Sequence, residues 1–404
     1  MTVVIVGAGQ AGATAAAALR DIGFADPVIL LGDEQEPPYE RPPLTKGYLA
    51  GDDDAFTPIQ VPGDVDVRTG VTVQSIDPAA RTVSAGGERI GYDALLLAPG
   101  VAPKVPDLPG ADSAFYVREH GDSRRLRDEF TDGRRVVVLG GGWIGCEASA
   151  VARERGCEVS LLEFAPTLVP KLGPEIGGVY GDLHREHGVD VRTGVTASRV
   201  VVRDGRAAGV GLEGGDVVDG DVVVVATGTA PRLSLARSAG LAIDDATGGV
   251  AVDASMRSSV PGIWVAGDIA AIDHPLLGRR VRVEHWALAL DGGKVAARSI
   301  AGAPGSAVDF LPFFFSDQYD FSMEYCGNAA PGDYERVVFR GATTGNREFV
   351  AFWQADDDRV LAAMNANVWD VNETLQRLVV SRKPVAPERL ADPDVPLEEL
   401  QGGA

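Results

Sequence analysis

Val3-Val4-Ile5-Val6-Gly7-Ala8-Gly9-Gln10-Ala11-Gly12 is an apolar run without a polar break that passes at once into glycines and then into the alanine-rich stretch 13–18. A buried parallel strand, a tight turn and a closely packed helix are written this way. Gly7 allows the turn, Gly9 lets the backbone approach a pyrophosphate, and Gly12 lets the helix lie against the sheet. The helix N-terminus then presents bare N–H donors to phosphate oxygens. The spacing alone is weak, because a glycine turn also serves packing. Here the strand, the small-residue helix, a second apolar strand over 28–31 and the acidic Asp33 all stand where dinucleotide binding needs them.

The pattern returns at Val136-Val137-Val138-Leu139-Gly140-Gly141-Gly142-Trp143-Ile144-Gly145-Cys146-Glu147, with a helix to about Arg155 and a strand over 158–162 that ends at Glu163. Glu163 stands where a carboxylate accepts both hydroxyls of an adenosine ribose. The unit closes with the valine run 222–225 and Gly228. Two such units in one chain argue for two dinucleotides meeting face to face, a flavin and a nicotinamide being the obvious pair.

The chain has 404 residues, 45% of them hydrophobic, and 50 glycines, enough for two or three domains. Lys and Arg number 37 against 58 Asp and Glu, a formal charge of −21 that repels phosphate backbones and anionic lipid. Neither nucleic acid nor membrane is therefore an expected partner. No run approaches a membrane span, and the apolar start lacks a basic leader, so the expectation is a cytoplasmic protein, monomer or homodimer. Cys146, Cys157 and Cys326 are too few and too scattered for a disulfide framework or a thiolate zinc site. His184 and His187 form the one close histidine pair, expected on a solvated helix face rather than around a metal, and no metal is expected.

Between the two units, Glu36-Pro37-Pro38-Tyr39-Glu40-Arg41-Pro42-Pro43-Leu44-Thr45-Lys46 is a proline-stiffened loop holding two cations at defined places, which suits an anionic cofactor or serves as a surface connection. Short strands over 65–68, 71–76 and 82–84 lead to a buried strand ending at Ala98-Pro99-Gly100. After the second unit, a buried strand over 263–266 runs into Gly267-Asp268. Arg279, Arg280 and Arg282 then precede Glu284-His285-Trp286 and an alanine-rich helix, either as a cationic rim or as a strand with solvated charges. From about Pro304 aromatic residues cluster and alternating stretches appear at 335–339, 348–354 and 360–367, predicting a small antiparallel sheet with a helix over 372–380. The acidic, proline-rich end 384–404 reads as a strap or loose tail. The predicted fold class is α/β: two Rossmann-like dinucleotide-binding domains, 1–107 with 229–303 and 108–228, plus a C-terminal α+β domain over 304–404.

Five stretches are more specific than either glycine motif: Arg41-Pro42-Pro43-Leu44-Thr45-Lys46, Gly140 to Glu147, Ala266-Gly267-Asp268, Glu284-His285-Trp286 and Ser316-Asp317-Gln318-Tyr319-Asp320. On these the chain resembles the NADH-dependent, FAD-containing ferredoxin reductases of cytochrome P450 and aromatic-ring oxygenase systems, a group that includes rubredoxin reductases and apoptosis-inducing-factor-like flavoproteins. The resemblance implies a glutathione-reductase-like arrangement. Non-covalent FAD would occupy the first unit, touching Gly7, Gly9, Gln10, Ala11, Gly12, Ala98, Gly100, Gly267, Glu284, His285, Trp286 and Phe315. NADH would occupy the second, at Gly140, Gly142, Ile144, Gly145, Glu163 and Gly228, and the C-terminal domain would cover the flavin. By the same resemblance Asp33 holds the adenosine ribose, Arg41 the adenosine end of FAD, and Asp268 the ribityl or pyrophosphate portion. Lys46 lies near flavin N5 and pairs with Glu147, and Trp143 shields the ring until nicotinamide displaces it.

The chain departs from the family pattern at Pro99, where threonine is usual, at Phe315, where many members have tryptophan, and at Leu288 and Asp291, which are commonly amides. A disulfide reductase on this architecture needs a redox cysteine in the loop 41–46, and none is there. Hydride brings two electrons while an iron–sulfur protein takes one, so the flavin must stand between them, and the resemblance implies the activity NADH to FAD to a small ferredoxin that serves a P450 or ring-hydroxylating oxygenase. The alternative is an NADH-responsive flavoprotein whose output is a change of shape or partner. From the residues alone, Glu147 also reads as a carboxylate favoured by its helix dipole, and Lys46 as a solvated lysine.

Overall fold

The strands Val3–Val6 and Ala94–Leu97 carry no polar alternation because both of their faces are buried. The computed structural model describes residues 1–401. They form two compact units. The first comprises Met1–Pro42, Phe56–Ala102 and Ala230–Pro312. Its five-stranded sheet runs Ile263–Val265, Ala94–Leu97, Val3–Val6, Val28–Leu31, Asp66–Arg68, all neighbours parallel. The chain starts at the central strand and adds strands first on one side and then on the other, so the turn after Val6 lies at the point where the strand order reverses. The helices Gln10–Asp21 and Trp286–Ile300 and the antiparallel strands Val73–Asp77, Thr82–Ala85 and Glu88–Gly91 complete the same core. Small residues set the approach of the two helices: a Cβ on Gly293 would lie 2.5 Å from the carbonyl oxygen of Ala11.

The second unit comprises Pro43–Ala55, Pro103–Thr229 and the chain from 313 on. Its parallel sheet, Asp190–Thr193, Glu158–Glu163, Arg135–Leu139, Val222–Val225, repeats the same order. Val137, Leu139, Val223 and Val225 pack with Val210, Leu212 and Val218 of an antiparallel three-stranded sheet, which explains why the valine runs stay apolar throughout. The five-stranded antiparallel sheet follows, in the order Phe313–Gln318, Phe321–Gly327, Val360–Ala366, Phe349–Gln354, Arg336–Gly341, with the helix Asn372–Ser381. The first of these strands opens on three consecutive aromatic residues and has no regular alternation, whereas the second, Phe321-Ser322-Met323-Glu324-Tyr325, alternates and adds a strand to the three stretches expected. Tyr319, at φ 56°, turns one into the other. The chain end is a strap: Leu390 and Leu400 are buried, and Arg340 donates to the carbonyl of Pro393 at 3.0 Å.

Pro43–Ala55 leaves the run 1–107 and belongs to the second unit, where three contacts hold it. Ser123 donates to the Leu44 carbonyl at 2.7 Å, Arg155 donates to the Ala50 carbonyl at 2.6 Å, and Arg127 pairs with Asp53. Trp353 donates its indole N–H to the Leu172 carbonyl at 3.0 Å, which ties the C-terminal sheet to the middle of the chain.

Candidate functional site

In the first unit Gly7 sits at φ +112°, and a Cβ there would lie 2.1 Å from the Ala98 carbonyl oxygen. A Cβ on Gly12 would lie 1.9 Å from the Gly7 carbonyl oxygen. Both glycines are therefore required by the backbone itself. Gly9 is different: it caps the helix Gln10–Asp21, no side chain caps the free N–H groups, and a Cβ on it meets nothing within 4 Å. Bare donors facing open space fit a dinucleotide pyrophosphate. Ala98 is buried beside this turn, and Gly100 has φ +70°.

Two other segments converge here. Trp286 donates its indole N–H to Gln10 Oε1 at 3.0 Å, which brings the Glu284-His285-Trp286 stretch to the glycine turn. His285 is the N-cap residue of the helix Trp286–Ile300. Gly267 lies against Ala11, a Cβ on it falling 3.2 Å from Ala11 Cβ. Arg282 donates to the Asp268 carbonyl at 3.1 Å and pairs with Glu284 at 2.7 Å, so it buttresses this corner and is not a solvated rim charge. Arg280 lies 3.8 Å from Asp244. Asp33 pairs with Arg232 at 2.7 Å, a partner with no local sequence signal. Arg41 pairs with Glu34, which also accepts the Tyr39 hydroxyl. Glu34 and Tyr39 were not singled out in the sequence, although both flank residues that were.

The second unit repeats the turn. Gly140 is at φ +112° with a Cβ position 2.5 Å from the Ala226 carbonyl oxygen, and a Cβ on Gly145 would lie 1.8 Å from the Gly140 carbonyl oxygen. Gly142 caps the helix Trp143–Glu154 with no side-chain cap and nothing within 4 Å of its Cβ position. Gly228 at φ +100° is equally open, and Ile144 lies in the first turn of the helix. Glu163 accepts the Gly141 N–H at 2.5 Å and the Ala165 N–H at 2.7 Å, which fixes its carboxylate at the strand end.

One turn into that helix Glu147 is 5% exposed and pairs with Lys46 at 2.6 Å, so the alternatives of a surface carboxylate and a solvated lysine are set aside. Thr45 and Ser316 also donate to Glu147, Ser316 at 2.7 Å. The Lys46 ammonium lies 5.7 Å from the ring centre of Phe315. Trp143 is held edge-on by Tyr180 at 5.5 Å and against Phe314 at 4.9 Å. Thr45 and Ser316 stood inside the quoted motifs without a role. All three thiols are buried, and burial raises each of them, Cys326 to about 12, which leaves no thiolate for disulfide chemistry. His184 corrects the expectation of a solvated histidine pair: it is fully buried, and only His187 is half-buried.

The model of the pyridine nucleotide-disulphide oxidoreductases matches residues 1–293, and a reductase C-terminal model matches 313–401. The chain belongs to the pyridine nucleotide-disulphide oxidoreductase family. It is an oxidoreductase that uses a flavin and a pyridine nucleotide. It is 36% identical over 405 residues to the ferredoxin–NAD(+) reductase component of the anthranilate 1,2-dioxygenase system of Burkholderia cepacia, covering 98% of each chain. It is 32% identical over 418 residues to putidaredoxin reductase of Pseudomonas putida, covering 100% of this chain and 97% of that one. The crystal structure of a covalent putidaredoxin reductase–putidaredoxin complex superposes with a TM-score of 0.92 at 31% identity, over 99% of this chain and 97% of the other. Among the described residues no helix is long and apolar enough to cross a membrane.

Proposed function

We propose that the chain is the flavoprotein reductase of an oxygenase system, taking hydride from NADH onto non-covalent FAD and passing electrons singly to a small iron–sulfur ferredoxin that serves a P450 or ring-hydroxylating oxygenase. The observation that carries this reading is the Lys46–Glu147 pair. The loop that would hold a redox cysteine in a disulfide reductase instead delivers an ammonium to a buried carboxylate on the helix of the second glycine motif. FAD held there would supply the carrier that links a two-electron hydride donor to a one-electron acceptor.

The chain's own residues supply binding and charge. The N–H groups at the start of Gln10–Asp21 hold the FAD pyrophosphate, and Asp33 and Arg41 receive its adenosine end. The N–H groups at the start of Trp143–Glu154 and the Glu163 carboxylate hold NADH. Lys46 offers positive charge to the reduced ring, and Glu147 orients that ammonium and receives the nicotinamide amide. Trp143, wedged between Tyr180 and Phe314, shields the ring between turnovers. NADH yields NAD+, one proton and two electrons, so two ferredoxins are reduced per turnover. We place the reaction in the cytoplasm.

The test is anaerobic mixing of the flavin-loaded protein with NADH and then with oxidised plant-type or vertebrate-type ferredoxins. Flavin bleaching by NADH followed by recovery at a rate set by ferredoxin concentration is expected. Bleaching that recovers only with a disulfide or persulfide acceptor would overturn it. None of the relatives reported above is named for a signalling role, and no observation favours the partner-switching alternative.

A further inference from the structure

His184 occupies the last turn of the helix Pro174–Glu186, far from Glu147 in sequence, yet an unbroken chain of hydrogen bonds joins them. Its Nε2 lies 2.9 Å from Gln318 Oε1, and Gln318 Nε2 donates to Ser316 Oγ at 3.1 Å. Ser316 donates onward to Glu147 Oε1 at 2.7 Å, and Lys46 meets the same carboxylate at 2.6 Å. At the other end the Tyr319 hydroxyl lies 3.3 Å from His184 Nδ1. His184, Gln318, Ser316 and Glu147 are all at least 95% buried, so water does not compete for these bonds.

The polarity of this chain has only two settings. An amide oxygen accepts and never donates, so a Gln318 that faces His184 with Oε1 needs the imidazole hydrogen on Nε2. Gln318 Nε2 then donates to Ser316, whose single hydrogen is left for Glu147. In the reversed setting the amide turns over, Ser316 donates to Gln318, and Glu147 loses a donor. The tautomer of His184 selects between them. The Tyr319 hydroxyl, 3.3 Å from Nδ1, completes the Nε2–H form by donating to the bare Nδ1. Tyr319 is placed for this by a left-handed backbone at φ 56°, which costs about 1 kcal/mol in a non-glycine residue. Its ring stacks on His187 at 3.8 Å and meets His184 edge-on. Burial lowers His184 to about pH 4, which keeps the ring neutral in ordinary buffers.

We propose that His184, set by Tyr319, is a positioning residue that acts through Gln318 and Ser316 to turn one hydroxyl onto Glu147 and so set how much of the Lys46 charge that carboxylate offsets. The inference rests on the reading above, in which the Lys46–Glu147 pair acts on the flavin. Without the Ser316 donor the Glu147 charge is less offset by hydrogen bonding, it cancels more of the Lys46 charge, and the reduced flavin is disfavoured.

The experiment measures the two-electron midpoint potential of the flavin-loaded protein at fixed pH. His184→Leu should shift the equilibrium about tenfold toward oxidised flavin, the worth of one hydrogen bond to a charged group. That is about 30 mV for a two-electron couple. His184→Gln, which can donate to Gln318 and accept from Tyr319, should restore the wild-type value. Tyr319→Phe guards against a folding defect at position 184: it should shift the potential in the same direction, and nitrogen-15 NMR of the imidazole should change from pure Nε2–H to a mixture of tautomers. Glu147→Gln is the control. Native-like His184→Leu and Tyr319→Phe at the wild-type potential, with Glu147→Gln shifted, would overturn the role of His184 alone. A wild-type potential in Glu147→Gln would overturn the pair's role, and this inference with it. An Nδ1–H tautomer in the wild type would also refute the proposed polarity.

Discussion

Each oxygen of Glu163 accepts one backbone N–H, from Gly141 and from Ala165, and each keeps a lone pair for a ribose hydroxyl. A 2′-phosphate placed there meets like charge, worth about 2 to 4 kcal/mol at the effective dielectric of a partly exposed site. NADH is therefore expected to exceed NADPH in kcat/KM by about 30- to 1000-fold. Glu163→Gln keeps one acceptor for the loop while removing the charge, and should collapse that ratio chiefly by improving NADPH. Wild-type protein with equal kcat/KM for the two nucleotides would contradict the assignment. Lys46 poses the complementary question, because its partner is the deeper of the two. Lys46→Ala leaves a buried carboxylate without a cation, and breaking such a pair costs about 3 kcal/mol. Urea unfolding should register that loss, and NADH should bleach the flavin more slowly; an unchanged midpoint would mean that Thr45 and Ser316 suffice to hold Glu147.

The two glycine turns differ from ordinary tight turns in that their glycines do separate jobs, and substitutions can tell these apart. Gly12→Ala and Gly145→Ala place a methyl group within 1.9 Å of a backbone carbonyl oxygen, so the helix must move and the apoprotein itself should be destabilised. Gly9→Ala and Gly142→Ala meet no protein atom within 4 Å at extended backbone angles, so apoprotein melting should be unchanged. Their cost falls on the ligand: at least tenfold in FAD affinity for Gly9→Ala, and a similar rise in the KM for NADH for Gly142→Ala. Equal melting loss in all four would refute the division. These turns were legible in the sequence because a backbone requirement falls on single residues a few positions apart. The strand 313–318 was not, since Phe313-Phe314-Phe315 breaks the alternation that marks a strand, and the turn after it uses Tyr319 instead of glycine. His184 was misread for a related reason: its helix is amphipathic, and which face is covered depends on Gln318 and Tyr319, more than 130 residues away. Arg232, which meets Asp33 from 199 residues away, left no local trace either.

A chain with a formal charge of −21 should, on charge alone, become more stable as acid relieves its self-repulsion. Two buried histidines oppose this. His184 and His274 are both lowered to about 4 in the folded chain, burial being the first cause in each, while an unfolded histidine titrates near 6.5. Between those values the unfolded state binds protons that the folded state does not. Stability is thus fully present above about pH 6.5 and falls as the pH drops toward 4. At pH 5 the loss is on the order of 2 kcal/mol for each histidine. Ordinary carboxylates, with pKa values near 4, are still mostly ionised at pH 5, so little repulsion has been relieved at that point. Asp221, lowered to about 2 by its Arg135 partner, gives up its stabilisation only below about pH 4, outside this window. Urea unfolding at pH 7.5 and pH 5.0 should therefore show a drop of about 4 kcal/mol, and His184→Gln should remove about half of it. A stability that holds or rises between these two pH values would mean that the folded chain takes up protons at these histidines as readily as the unfolded one.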